Sequence, residues 1–129
     1  MDKKTYMSSV SEAKIVTDLT VRDFDIFTQS SGKSPFDLIA HKDGKILRVQ
    51  VKSCGKKDKK GRFNVQLKSV RHNKTENKII KFDPNSCDLL AIYLFDADKI
   101  CYFDPKKLPS LNEIKVDPTI DYDLSKLLI

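Results

Sequence analysis

Residues 34–53 read SPFDLIAHKDGKILRVQVKS, and this stretch decides how the rest of the chain is read. Phe36 to His41 is mostly apolar, Lys42-Asp43-Gly44-Lys45 supplies turn residues, and Ile46 to Lys52 alternates strictly. The pattern predicts two strands joined by a tight hairpin turn. Period two then sorts the second strand by face, with Leu47, Val49 and Val51 toward a core and Arg48, Gln50 and Lys52 on the other side. Asp37 enters on the neighbouring strand. A carboxylate, a carboxamide and an ammonium are therefore expected to converge in one small volume, a trio suited to metal-assisted attack on phosphate.

Before the hairpin, Val10, Ala13, Val16, Leu19 and Thr20 recur at helical spacing and predict a helix from Ser8 or Ser9 to about Arg22, after a frayed polar start at residues 1–7. Ser9 and Glu12 form a capping-box pattern, which gives Glu12 a purely structural role as one reading. The same position lets it project toward an adjacent sheet edge, so a role in the site stays open. Phe24 to Thr28 reads as a strand, followed by the turn-rich run to Pro35. After the hairpin, Cys54 to Gly61 reads as a loop, and Phe63, Val65 and Leu67 alternate as a further strand. Residues 68–83 show no period and are expected to be a loop. Asp88 to Phe95 is a continuous apolar run of buried-strand type, paired with Ile100 to Phe103 across Asp96-Ala97-Asp98-Lys99. The tail from Pro105 holds three prolines and ends in a helix expected from Asp121 to Leu128.

A chain of 129 residues, 40% of them hydrophobic, suits one compact domain with one core. No apolar run has the length of a signal peptide or membrane span, so a soluble protein is expected. Cys54, Cys87 and Cys101 leave one thiol unpaired in any scheme and lack CxxC spacing, which favours a reducing, cytoplasmic compartment over a disulfide framework or a zinc knuckle. The formal charge of +6 is unevenly placed: residues 1–51 hold 8 basic and 7 acidic side chains, residues 52–81 hold 11 and 2, and residues 82–129 hold 5 and 9. A Lys-rich run taken alone reads as a solvated face. This one begins at Lys52, beside the trio, and a polyanion is the partner that explains it. His41 and His72 have no partner at zinc-ligand spacing.

The order of Glu12 on a helix, Asp37 on one strand and Gln50-x-Lys52 on the next resembles the core of the PD-(D/E)xK nuclease superfamily. Ser11-Glu12, Ser34 to Ala40, Lys42 to Lys45, Leu47 to Ser53 and Asp88 to Tyr93 together resemble the group I intron-encoded homing endonucleases of the cyanobacterial type, over roughly residues 9–105. Ser11 stands where this family usually has Gly, and Gln50 stands where the superfamily has an acid, a replacement the homing subfamily shares. The resemblance implies an α/β (α+β) restriction-endonuclease-like fold, with a central mixed sheet and an N-terminal helix carrying Glu12. It also implies a Mg²⁺-dependent, site-specific double-strand DNA endonuclease, bacterial or phage-type, with Mn²⁺ as a substitute metal. The alternatives are a Holliday-junction resolvase on the same fold and a DNA-binding protein that does not cut.

Each residue type has a chemical reason. Asp37 is a hard anionic ligand for Mg²⁺, the Val51 carbonyl is a second oxygen donor, and Gln50 ligates only through a neutral amide oxygen. Lys52 positions or helps deprotonate the attacking water and stabilises phosphate charge; between two carboxylates it is expected to stay protonated. Glu12 completes the anionic side, directly or through water. DNA recognition is placed on residues 56–74, with Lys56, Lys57, Lys59, Lys60 and Arg62 on phosphates. Gln66, Lys68, Arg71, His72, Asn73 and Lys74 complete that surface, with base edges among its targets. Cutting both strands calls for at least two copies, a dimer or a dimer of dimers. The apolar residues of the tail, 106–129, either serve that assembly or cover the monomer's own sheet.

Overall fold

The computed structural model describes residues 1–72 and 76–127. Helix α1 spans Lys3–Val21, about one and a half turns longer at its start than the apolar periodicity predicts. The cap is Asp2, whose carboxylate accepts the Thr5 N–H at 2.8 Å, so residues 3–7 are helical and not frayed. Glu12 consequently lies in mid-helix and caps nothing. The buried stripe is Ser11, Ile15 and Leu19; of the expected Val10, Ala13, Val16, Leu19 and Thr20 face, Leu19 is buried, whereas Ala13 and Thr20 are exposed. The helix stops in a Schellman turn: Phe24 N–H reaches Leu19 O, Asp23 N–H reaches Thr20 O, and Asp23 takes a left-handed φ of 69°.

Strands β1 (Asp25–Thr28), β2 (Leu38–Lys42) and β3 (Lys45–Cys54) follow, with β2 and β3 forming the expected hairpin. Asp43 and Gly44 have φ of 52° and 78°, both positive, as a two-residue loop between right-twisted strands requires. Then come β4 (Phe63–Gln66), β5 (Ser69–His72), β6 (Asn77–Ile80), β7 (Leu89–Leu94), β8 (Lys99–Phe103) and β9 (Glu113–Val116). Residues 68–83, expected as a loop, contain the antiparallel β5–β6 hairpin, a two-stranded sheet of its own.

The main sheet runs β1-β2-β3-β7-β8, antiparallel except for the parallel β3–β7 pair. Strand β7 lies between β3 and β8, and all six of its residues are buried because both faces are covered. On one face Ile15 and Leu19 of α1 pack on Leu38, Ala40, Leu47, Val49, Leu89 and Ala91. On the other, Leu90, Ile92 and Leu94 meet Phe63 and Val65 of β4 and Ile114 and Val116 of β9. Each such side chain, fully buried, contributes about 1.5–3 kcal/mol. Among the described residues no helix is long and apolar enough to cross a membrane.

The tail is built into this core. Strand β9 pairs with β4, Leu108, Leu111 and Tyr122 pack on the second core face, and Leu124 and Leu127 pack on the first. These residues cover the monomer's own sheet. The helix expected over residues 121–128 is a single 3-10 turn at Leu124–Lys126, and Leu128 and Ile129 lie outside the described residues. Helix periodicity lost because the segment is already engaged: Tyr122 O accepts the Tyr102 N–H, and Asp123 takes two guanidinium bonds from Arg22. Arg22 also bonds Asp18, which accepts the Tyr102 hydroxyl, so the end of α1, β8 and the tail are tied together.

The Arg22 guanidinium, then the Ser125 hydroxyl, hold the Asp123 carboxyl well below its ordinary value of 3.8. A lowered folded-state pKa contributes stability that is present above the unfolded value and lost as pH falls through the folded one. With a third of this pair's surface exposed, Asp123→Ala is expected to cost about 1 kcal/mol near neutral pH. Thermal melts should show that difference from wild type shrinking below pH 3.8; a gap that stays constant into acid would remove the ion pair from the account.

Candidate active site

Pairing between β2 and β3 ends at Leu38↔Val49, yet β3 continues to Cys54. Asp37 sits one residue before β2 and takes over that open edge: its N–H bonds Val49 O at 2.9 Å, and its Oδ2 accepts the Val51 N–H at 2.8 Å. The N–H and C=O of one strand residue project from the same edge, so the Val51 carbonyl points to the side where Asp37 stands. Lys52 follows on the next position. The other wall is α1, docked on β3 by a hydroxyl pair: Ser11, with 0% exposure, meets Ser53 Oγ at 2.6 Å. Since Ser11 precedes Glu12 and Ser53 follows Lys52, this one bond ties the two segments at the point where their charged side chains are needed.

The result is an open cavity of about 530 Å³ bordered by Glu12, Asp37, Val51, Lys52 and Ser53. Gln50, half-buried on β3 opposite Leu90, does not border it. The structure therefore gathers four of the five expected site residues and leaves Gln50 beside the group.

Desolvation dominates the electrostatics. Burial raises the Asp37 carboxyl above its ordinary value, against the Val51 N–H and the Lys52 charge that pull it down. Glu12 is raised by burial and then by the negative charge of Asp37. Lys52 is lowered by burial, with the attraction of Asp37 only second. An ammonium firmly held by neighbouring carboxylates was expected; here the loss of hydration outweighs that attraction. All three groups are thus poorly solvated in their charged forms, and a divalent cation between the carboxylates would reverse the balance on the acidic side.

The donor set fits a hard cation. Asp37 has one carboxylate oxygen bonded to Val51 N–H and another to offer, Glu12 adds a second carboxylate, and the Val51 carbonyl adds a neutral oxygen. Among the described residues there is no cluster of three or more His, Cys, Asp or Glu. Two carboxylates with a carbonyl suit Mg²⁺, which keeps several of its waters, better than a soft metal that needs thiolates or imidazoles.

The basic connection after β3 is ordered by its one acid. Asp58 Oδ1 accepts the N–H groups of Lys60 and Arg62, both at 2.9 Å, and its Oδ2 stands 3.6 Å from Lys115 Nζ. Lys56, Lys57, Lys59 and Lys60 are left exposed on that turn, while Arg62 is half-buried. Lys68 is exposed, and the Gln66 carboxamide donates to Glu113 at 2.8 Å. Arg71 and His72 fall on β5, but their side chains, and Asn73 and Lys74 altogether, lie outside the described residues. Sequence reasoning gave no role to Ser11, Ser53, Lys3 or Lys4. For Ser11 a signal existed, since residues 11, 15 and 19 form one i, i+4, i+8 stripe.

A search of curated proteins found no match. Among solved structures, the chain is similar to that of a bacterial homing endonuclease, I-Ssp6803I, with a TM-score of 0.79 at 18% identity, covering 95% of this chain and 82% of that one. The two share the fold: an N-terminal helix on a mixed five-stranded sheet. A family model described as PD-(D/E)XK endonuclease matches residues 1–119, which takes in the whole cavity and reaches past β9. The chain belongs to the PD-(D/E)XK endonuclease family.

Proposed function

We propose that this protein is a Mg²⁺-dependent, site-specific endonuclease that makes double-strand breaks in DNA, of the homing type. The observation that carries the reading is the meeting of Glu12, Asp37, Val51 and Lys52 on one open cavity beside an exposed lysine turn. Phosphodiester hydrolysis needs a water in line with the leaving oxygen and positive charge against the phosphoryl oxygens. Mg²⁺, when bound, supplies that charge as a Lewis acid. Asp37 and Glu12 would hold the cation, with the Val51 carbonyl as third donor, and Gln50, next to the group on β3, would at most add its neutral amide oxygen. Lys52 lies where its ammonium can hold the attacking water and neutralise phosphate. Its lowered pKa lets it give up and regain a proton more readily than a solvated lysine. Lys56, Lys57, Lys59 and Lys60 bind backbone phosphates, fixing orientation, while Lys68 and the β5–β6 hairpin extend the contact surface. Two copies of the chain act together, one on each strand.

The test is incubation of linear duplex and four-way-junction DNA with and without Mg²⁺, with light scattering on the same samples. Breaks in linear DNA that EDTA abolishes are expected, made by a dimer or larger assembly. Cutting of junctions alone would transfer the reading to a resolvase, binding without cutting to a DNA-binding protein, and linear breaks by a persistent monomer would end the assembly argument.

A further inference from the structure

The cavity is larger than the catalytic group requires. It runs on along α1 past Ser8 and Met7 to Lys3 and Lys4, which lie on the first turn and are exposed. Eight residues separate Lys4 from Glu12, about 12 Å along a helix axis, too far for both to serve one phosphate and close enough for neighbours on one strand. Neither lysine forms an ion pair among the described residues. We propose that Lys3 and Lys4, with the Ser8 hydroxyl, form a second phosphate-binding subsite that holds a phosphodiester flanking the one to be cut.

The helix end itself is not the ligand here, because Asp2 already occupies the Thr5 N–H; the ammonium groups are. Lysine serves phosphate as a point charge on a flexible stem, which suits a backbone contact that carries no sequence information. Three lysines on one cavity also repel one another. A polyanion laid along the cavity relieves that repulsion, whereas a small neutral ligand does not. The subsite would set where the strand enters, so that the phosphate over Asp37 and Lys52 is the one presented for attack.

This inference rests on the endonuclease reading, and the experiment separates the two. Duplex binding by the Lys3→Ala/Lys4→Ala protein is measured by fluorescence anisotropy in EDTA over a range of salt, beside cleavage kinetics in Mg²⁺. Two lost contacts should flatten the slope of log affinity against log salt by about 1.8, at roughly 0.9 per phosphate. The KM for DNA should rise more than kcat falls. Alanine is the best helix former, and the charge-reversed Lys3→Glu/Lys4→Glu protein has a first turn that suits the helix dipole, so weakened binding in both cannot come from a lost helix. An unchanged slope and KM, with wild type cutting DNA, overturn the subsite alone. A flattened slope in a protein that never cuts leaves the subsite standing and overturns the endonuclease reading.

Discussion

Asp37→Asn and Lys52→Ala proteins are expected to bind duplex DNA as wild type does and to leave it uncut, with rates down by at least about 10²–10³-fold. Asparagine keeps an oxygen for the Val51 N–H, so the open edge of β3 stays closed while the charge that would hold a cation is removed. Neither change should weaken the metal-free fold. Because burial raises the folded-state pKa of Asp37, its ionised form is penalised, and its contribution to stability is favourable below its ordinary pKa of 3.8 and lost as pH rises through the folded value. At neutral pH, Asp37→Asn should therefore melt no lower than wild type in EDTA. Lys52 behaves in mirror image, since its folded-state pKa is lowered, and truncating it removes a poorly hydrated ammonium. Comparison of single-turnover cleavage with melting curves decides the matter. Rates within tenfold of wild type in both proteins would take these residues out of the chemistry.

Glu12→Ala is expected to lose about two orders of magnitude in cleavage and almost nothing in stability. Had Glu12 closed a capping box, its removal would cost about 1 kcal/mol and spare the reaction. The cap belongs to Asp2, ten residues and well over two turns earlier, so that cost has no source at Glu12. Alanine is the better helix former, and removing a carboxylate raised by burial and by Asp37 relieves repulsion in the metal-free site. Cleavage assays in a Mg²⁺ titration give a second readout. If Glu12 helps hold the cation, the variant should need more Mg²⁺ to reach its own maximum. A variant that melts several degrees lower but cuts at the wild-type rate would return Glu12 to a structural role.

How much of this was legible without coordinates differs from element to element. The β2–β3 hairpin is local: the period of two over Ile46 to Lys52 and the Asp43-Gly44 loop settle its existence, register and faces within twenty residues. Strand β7 is legible because a run of only six apolar residues, bounded by turn residues, is short for a helix and suits a strand covered on both sides. Since Asp37, Val51 and Lys52 lie on or beside that hairpin, their grouping could be read directly. Strand β9 could not. Glu113 to Val116 is a four-residue alternation whose partner, β4, lies some fifty residues earlier, and nothing local marks so distant a pairing. The β5–β6 hairpin forms a two-stranded sheet of its own, and its sequence carries no apolar period that would have marked it.

By itself, then, the sequence determined the chemistry on offer and the hairpin that carries half of it, since both depend on neighbours in the chain. Tertiary structure alone decided where α1 lies. The helix face that packs was misread by about one residue, because a small buried serine scores as polar although its hydroxyl is satisfied 42 residues away by Ser53. That contact, with the packing of Ile15 and Leu19 on the sheet, brings Glu12 to Asp37 and Lys52, and carries Lys3 and Lys4 to the same cavity. Side-chain identity limits what a site can do; which distant side chains share it is set by long-range packing, and no local pattern encodes that.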